Sequence, residues 1–459
     1  MTVEKRTETV AAMVAAAAKG RALMGGSGAM RTAGEMYLPK FKAEDPLDYT
    51  ARLTASWLFN GFRKSVHDMT GRVFDKPVEV AEGPNQLIEW AENIDMQGRD
   101  LSTFASEVFK DGFASGVSYI MADAPKRNGE TTRAQASAAG LRPYLVHLKV
   151  EEVLGWKTET YGNVLAFSQF RILEQATQAR ADDEFAEDAI VQVRVLDRTD
   201  TGVNVRIFRE GERGWVLYDE YATDAQEITV VPYYARRTGF ATGEPVLEDL
   251  ADVNIAHWQS QSDQRNILHF ARVPILHAAG RNSDDGPLTI SASQAVSSGD
   301  YQAKLEWVEH SGQAIGAGRQ DLKDLEFQME TLGLQLLVRV AQTATGAALD
   351  AAKETSGLAM MADSLKDALE QALAWAADYG GLGEQSITLS VNKEFGVSMM
   401  TAQEVTALLS AVNTGNMSRE TLIEEMKRRG VLRSDLDTQE EIDRIDAEGP
   451  DLGATDGGF

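Results

Sequence analysis

The chain has 459 residues, 43% of them apolar, which is enough for two or three packed units with real cores. Its 45 basic and 70 acidic residues give a formal net charge of −25, which argues against tight general DNA binding, since such affinity comes from Lys and Arg displacing phosphate counterions. With no cysteine, a disulfide framework, a thiolate metal site and a cysteine nucleophile are excluded.

The early run VAAMVAAAAKG is alanine-rich and short. It lacks the leucine-rich centre of a signal peptide and the length of a membrane span, so the chain reads as soluble and untargeted. GGSGAMRTAG follows a helix-like run and not a strand, and reads as a flexible turn in preference to a phosphate loop. DPLDYTARLTASWLFNGFRKSVHDMTGRVF opens with an Asp-Pro helix start and carries Leu53, Trp57, Phe62, Val66 and Met69 at helical spacing. RDLSTFASEVFKDGFASG predicts a shorter helix ended by glycine, and VSYIMAD a strand. Residues 1 to about 125 therefore predict an α-rich layer.

The period changes over 144–236. IVQVRVLDRTDTGVNVRIFRE sets Val191, Val193 and Val195 against Gln192 and Arg194, then repeats with Val203, Val205 and Ile207 after a turn, an antiparallel hairpin pattern. WVLYDEY and EITVVPYYAR supply further strands. In 244–272 an apolar stripe (Val246, Leu250, Val253) fades into QSQSDQRN, and a helix polar all round is held by neighbours and not by a core. Residues 273–318 predict turns and short strands with AAGRNSDDGPLT at the tip. Leu322, Leu325, Met329, Leu332 and Leu336 then form a heptad seam too short for a free coiled coil.

QTATGAALDAAKETSG (342–357) has nothing to bury, and precedes a long amphipathic helix with Leu358, Met361, Leu365, Leu369, Ala372 and Ala376 on its stripe. SITLSVNKEF predicts a strand, and TAQEVTALLSAVNTG and SRETLIEEMKRRG two helices, the second capped by Ser418. RADDEFAED and the acidic C-terminal stretch from Ser434 read as solvated, mobile segments.

Catalytic and metal motifs are missing: there is no Walker-type loop, no H-E-x-x-H, no G-x-S-x-G and no EF-hand loop. His67, His147, His257, His269, His277 and His310 lack the i, i+4 spacing of chelating helical pairs and read as satisfied or solvent-facing. The Met pairs 360/361 and 399/400 read as packing. No cofactor and no metal are expected, and the chain is not expected to be an enzyme. Carboxylates assembled only by folding, such as Asp182, Asp183 or Glu184, leave a hydrolase as an alternative.

Five blocks, in this order, resemble a portal protein family of tailed bacteriophages (Caudoviricetes), one long catalogued only as a domain of unknown function. They are AMRTAGEMYLPKFKAED with YTARLTASWLFNGFRKSVHDMTGRVFDKP, GVSYIMADAP, PVLEDLADVNIAHWQSQSDQRNILHFARVPIL, EHSGQAIGAGRQDLKDLEFQMETLGLQLL, and TGNMSRETLIEEMKRRGVL before TQEEIDRIDAE. Together they cover nearly the whole chain.

The resemblance implies an α+β, ring-forming portal fold, typically of twelve copies. Residues 1–245 would be the wing, 246–272 the first stem helix, 273–318 an α/β clip whose short strands pair with the neighbouring subunit, and 319–340 the second stem helix. Residues 341–348 would be the tunnel loop, 349–397 a kinked wing helix and strand, 398–447 a helical crown, and 448–459 an acidic flexible tail.

The role implied is a channel for genome packaging and ejection at one capsid vertex. The partners implied are double-stranded DNA passing through the ring, the terminase large subunit, a head-to-tail adaptor, and the major capsid and scaffolding proteins, with no membrane. The implied location is the virion, after synthesis in the host bacterial cytoplasm. Acidic walls suit such a channel, because few phosphate contacts would have to break per step.

The implied tunnel loop is Thr343, Ala344, Thr345, Gly346, Ala347 and Ala348, with a plain interhelix turn as the alternative. Arg319, Arg339 and Lys353 are candidates for phosphate contacts or, alternatively, for ion pairs. Gln259, Ser262, Asp263 and Arg265 form the stem's polar face. Arg281, Asn282, Asp284 and Asp285 form the clip tip that would meet motor or adaptor. A different ring-forming head–tail connector is the alternative among structural proteins.

Overall fold

The computed structural model describes residues 3–126, 135, 140–180, 182–212, 214–223, 225–272, 275–279, 304–308, 313–334, 357–383, 386–392, 402–428, 431–432 and 436–448. The chain divides into two units, Met1–Asn392 and Lys393–Phe459. Helices and antiparallel sheets occupy largely separate stretches, an α+β arrangement.

Helix α1 (Glu8–Ala33) is capped by Thr7, whose side chain accepts from the Val10 amide. Its buried face runs Val10, Met13, Ala17, Gly20, Leu23, Gly26 and Met30. The flexible turn expected at GGSGAMRTAG is instead helix, kinked at Gly26 (φ 72°, ψ −159°), a conformation that glycine adopts without a Cβ penalty. The small residues serve close packing: a Cβ at Gly20 would stand 3.0 Å from Ala114 Cβ on α5 (Leu101–Ser115).

The apolar spacing through residues 46–74 predicts one helix, and the structure has two, α2 (Pro46–Ala55) and α3 (Gly61–Val73). The break leaves Trp57 41% exposed, and Asn60 Oδ1 caps α3 by accepting from the Arg63 amide at 2.8 Å. Strand β1 (Glu79–Glu82) and helix α4 (Asn85–Ala91) precede α5. Strand β2 (Val117–Asp123) pairs with both β3 (Tyr144–Leu148) and β9 (Val230–Tyr234).

Strands β4 (Val153–Tyr161), β5 (Val164–Ala179), β6 (Glu187–Thr199), β7 (Gly202–Gly211) and β8 (Gly214–Thr223) form a meander in sequence order. The expected hairpin is β6–β7, in register from Gln192↔Arg209 to Thr199↔Gly202. Both faces of the sheet are used. Phe170, Leu196 and Val205 pack with Val10, Met13 and Ala17 of α1 and Tyr119 of β2, while Leu154, Val193, Val195 and Phe208 form a second cluster on the other face with Val3. The RADDEFAED turn, described at 182–186, is exposed, Phe185 by 90%.

Short strands β10 (Arg237–Gly239) and β11 (Thr242–Gly243) lead to helix α6 (Glu248–Ala271). Strand β12 (Ile275–Ala279) pairs with β13 (Lys304–Val308) of the same chain. Helix α7 (Gln313–Leu334) starts ahead of the expected 319. Helix α8 (Gly357–Tyr379) buries the whole expected stripe from Leu358 to Ala376, and Ser364 Oγ accepts from the Tyr234 amide of β9 at 3.2 Å. Strand β14 (Thr388–Ser390) pairs with β1.

The second unit holds α9 (Ala402–Asn413), α10 (Arg419–Arg428) and α11 (Thr438–Glu448). Ser418 Oγ caps α10 by accepting from the Thr421 amide at 3.1 Å. The acidic stretch expected to be mobile is helical over 438–448. Asp437 caps it, accepting from the Gln439 and Glu440 amides at 2.8 and 2.9 Å, a local bond the composition did not reveal.

Candidate functional site in the paired helices α6 and α7

Helices α6 and α7 form an antiparallel pair joined by polar side chains. His257 faces Glu326, Ser260 Oγ donates to Asp321 Oδ2 at 2.6 Å, and Gln264 Nε2 donates to the Ile315 carbonyl at 3.0 Å. Successive partners descend along α7 as they climb α6. Gln264 reaches α7 because Gly318 has no side chain: a Cβ there would stand 2.2 Å from Gln264 Oε1. The fading stripe of α6 thus has a cause, since its second half is held by hydrogen bonds and not by a core.

The first half of α6 is anchored on the α2–α3 break. Asn254, fully buried, accepts from the Phe62 amide at 2.9 Å and donates to the Phe59 carbonyl at 2.8 Å. Two backbone groups that a broken helix would leave orphaned are satisfied by one carboxamide. Trp258 lies beside it, fully buried.

A clamp from residues 37–56 holds the expected polar face. Arg52, 6% exposed, donates from Nε and Nη2 to the two oxygens of Glu44 at 2.6 and 2.8 Å and from Nη2 to the Pro39 carbonyl at 3.0 Å. Its Nη1 lies 3.4 Å from Ser262 Oγ and 3.6 Å from Asp263 Oδ1. Ser56 Oγ donates to Ser262 Oγ at 2.9 Å, and Gln259 Nε2 donates to the Tyr37 carbonyl at 3.0 Å. The Arg52 hydrogen bonds hold the Glu44 carboxyl below the usual carboxylate range. Burial pushes Asp263 above it, against the pull of Arg52. Of the four expected polar-face residues, Gln259, Ser262 and Asp263 are therefore engaged by their own chain, and Arg265 is exposed.

His257 is buried, 5.3 Å from the Phe59 ring. Among the described residues neither ring nitrogen has a partner in hydrogen-bond geometry, although Glu326 Oε1 stands 3.4 Å from Nε2. Burial lowers its pKa below the ordinary imidazole value, and Glu326 pulls the other way. The sequence read this histidine as satisfied or solvent-facing; it is buried, with the Glu326 carboxylate 3.4 Å from Nε2. Its signal was its place on the apolar side of α6, next to Trp258.

Helix α7 leaves much of its surface open. Met329 packs on α3, where a Gly61 Cβ would lie 3.0 Å from its sulfur, but Phe327 is 70% exposed, and Arg319 is exposed with no ion pair among the described residues. Leu336, His310, the tip residues Arg281, Asn282, Asp284 and Asp285, the loop 343–348, Arg339 and Lys353 lie outside the described residues.

Among the described residues the hydrolase alternative finds no constellation. Asp182, Asp183 and Glu184 are exposed in the β5–β6 turn. Ser118, His147 and Asp111 come together, with Ser118 Oγ 2.7 Å and Asp111 Oδ2 3.7 Å from the same His147 Nε2. A nucleophile–base–orienter relay needs opposite ring nitrogens, and Ser118 is fully buried. Burial opposes ionisation of Asp111, yet His147 and Arg21 hold its carboxyl well below the usual range, as in a structural ion pair. Among the described residues no cluster of three or more ligating side chains could hold a metal, and no helix is long and apolar enough to cross a membrane.

Residues 246–380, from the start of α6 to the end of α8, match a family model described as a domain of unknown function (DUF4055). No curated protein matches the sequence. Among solved structures, the chain is similar to the neck of an empty GTA particle computed with C6 symmetry. That match has 11% identity and a TM-score of 0.41, and covers 81% of this chain and 89% of that one. It is similar also to the neck of a native GTA particle computed with C12 symmetry, with 12% identity, a TM-score of 0.40 and the same coverage.

Proposed function

We propose that this chain is a ring-forming head–tail connector of a phage-like particle and, more specifically, its portal protein, the subunit of a channel ring assembled in many copies. The observation that carries the reading is the α6–β12–β13–α7 hairpin. It is polar along its own seam, anchored at one end by Asn254 and Arg52, and exposed along α7 where Phe327 stands open. A lone hairpin of this kind leaves apolar and polar surface that a neighbouring copy would cover, and a head-to-tail repeat of one such contact forms a ring where the rotation between copies closes. The family match over 246–380 falls on two of the blocks that carry the portal resemblance, which supports the same reading.

In this reading the work is physical. The ring supplies a coaxial passage for double-stranded DNA, the terminase motor and the adaptor dock on the 281–285 tip, and the net charge of −25 keeps the passage from gripping phosphates. The test is the particle itself. Twelve copies of a 50.1 kDa chain make about 601 kDa, and electron micrographs of purified protein are expected to show rings with a central hole. A monodisperse species of one or two chains at high concentration, with no ring in the presence of capsid protein, would remove the reading.

A further inference from the structure

The outer face of the five-stranded sheet carries a recess of about 480 Å³, within the range of small-ligand sites of about 300–1,000 Å³. Its floor is Val195 and Phe208, and its rim gathers Lys5, Arg6, Lys157, Arg171 and Arg206 with Gln169. Five cations around one recess are unexpected in a chain of net charge −25.

The strand register explains how they meet. Lys157 of β4 pairs with Gln169 of β5, Arg171 of β5 with Val195 of β6, and Val195 with Arg206 of β7, so these side chains share one face. Lys5 and Arg6 come from the segment before α1, which is tied down where the Thr7 amide donates to the Leu154 carbonyl at 2.8 Å. A Cβ at Gly155 would stand 2.5 Å from Thr7 Cγ2 and 2.9 Å from Arg171 Nη2, so the glycine makes room for both walls.

Several cations elsewhere in this unit are matched by carboxylates: Lys19 with Asp252, Arg21 with Asp111 and Glu151, Arg194 with Asp123 and Glu174. In the recess the matching is incomplete. Arg206 is paired with Asp197, whose other oxygen accepts from Gln169 Nε2 at 2.7 Å. Arg171 and Arg6 donate instead to neutral carbonyls, those of Val3 at 2.8 Å and Glu151 at 2.5 Å. Lys5 and Lys157 have no ion pair among the described residues; the other acids near the recess are Glu4, beside Arg171, and Glu220, opposite Arg206 across β7 and β8. The balance is positive, and both free ammonium groups are exposed.

From this uncompensated set we infer that the recess binds a phosphate group, with Lys5 and Lys157 as its mobile cations and the Arg171 and Arg206 guanidiniums as the fixed side. The phosphate can belong to a nucleic-acid backbone or to a free phosphoanion; both present the same oxygens. The inference does not depend on ring assembly, and its failure would leave the connector reading untouched.

The experiment titrates the full chain with pyrophosphate by calorimetry and with a short labelled DNA duplex by anisotropy, at low salt. The Lys5→Gln/Lys157→Gln variant, changed only at exposed side chains, is expected to bind at least one of these probes about tenfold more weakly, about 1.4 kcal/mol. Lys64→Gln, which alters an exposed lysine paired with Asp68 on α3, is expected to leave binding unchanged. A duplex that displaces pyrophosphate and loses the same factor identifies backbone phosphate as the source; binding of pyrophosphate alone identifies a free phosphoanion. Neither probe binding, the double variant binding like the parent, or Lys64→Gln costing as much would overturn the inference. So would a polyglutamate peptide outcompeting both probes, since the recess would then serve an acidic protein segment.

Discussion

Gln264 occupies the space that a side chain at Gly318 would fill, with only 2.2 Å between its Oε1 and the position of a Cβ there. The hydrogen bond from Gln264 to Ile315 therefore depends on a glycine in the facing helix. Gly318→Val is expected to displace Gln264 and lower stability by about 2 kcal/mol, from the lost hydrogen bond and overpacking together. In the Gln264→Ala background the same change should cost less, because the clash is gone. Thermal melts of the four proteins measure the coupling, and strict additivity would mean the two residues do not interact.

Asn254 satisfies the Phe59 carbonyl and the Phe62 amide across the α2–α3 break. Asn254→Leu keeps the volume but abandons both groups in a buried setting, at about 1–3 kcal/mol for each. Urea unfolding should show a loss of several kcal/mol for Asn254→Leu. A loss below about 1 kcal/mol would mean that water reaches the break.

The Glu44–Arg52 pair makes the clamp acid-sensitive. Glu44 titrates below its ordinary range because Arg52 hydrogen-bonds its ionised form, with Lys40 adding to the effect. Its folded pKa lies below the unfolded one, so its contribution is present above the unfolded value and is lost as pH falls through the folded value. Asp263, raised by burial, acts with the opposite sign, losing its contribution as pH rises through its folded value. Glu44→Gln should flatten the decline in urea midpoint below about pH 5, while Asp263→Asn should leave that decline in place. An unchanged acid limb in Glu44→Gln would remove the clamp as its source.

Elements whose own residues dictate them were legible in the sequence: the β6–β7 hairpin from its alternation and turn, α8 from its stripe, and the α10 start from Ser418. The helix through Trp57 was misread because the break is fixed by Asn254, almost two hundred residues away, and local periodicity carries no trace of such a partner. The polar run of α6 announced that neighbours hold it, but not that the neighbours are Tyr37, Arg52 and Ser56 of the same chain. The basic recess was invisible for the same reason, since its cations come from four separate segments joined by sheet register and by the bond from Thr7 to Leu154.

The segment 343–348, proposed as the tunnel loop, offers a functional test of the portal reading. It holds small and hydroxyl side chains with nothing to bury, so shortening it is expected to spare ring assembly while impairing packaging or retention of DNA. Ring formation is read by electron microscopy and DNA content by nuclease protection in assembled particles. Loss of rings would make the segment part of a core, and normal DNA content would make it a plain turn.

His257 couples the α6–α7 seam to pH. Burial lowers its pKa, so the folded state holds it neutral more firmly than the unfolded chain does, with Glu326 partly opposing this. By linkage its contribution to stability is present above the unfolded value, near 6.5, and is lost as pH falls through the folded value. His257→Leu fits the same apolar surroundings of Phe59 and Trp258 without a proton to accept, and should remove the part of the stability decline that lies just below about pH 6.5. Glu326→Gln should act the other way: with the stabilising carboxylate gone, protonated His257 becomes costlier in the folded state and the decline steepens. Midpoints of urea unfolding across this window measure both variants, and a Glu326→Gln profile that overlays the parent would show that the carboxylate, at 3.4 Å, does not reach the imidazolium.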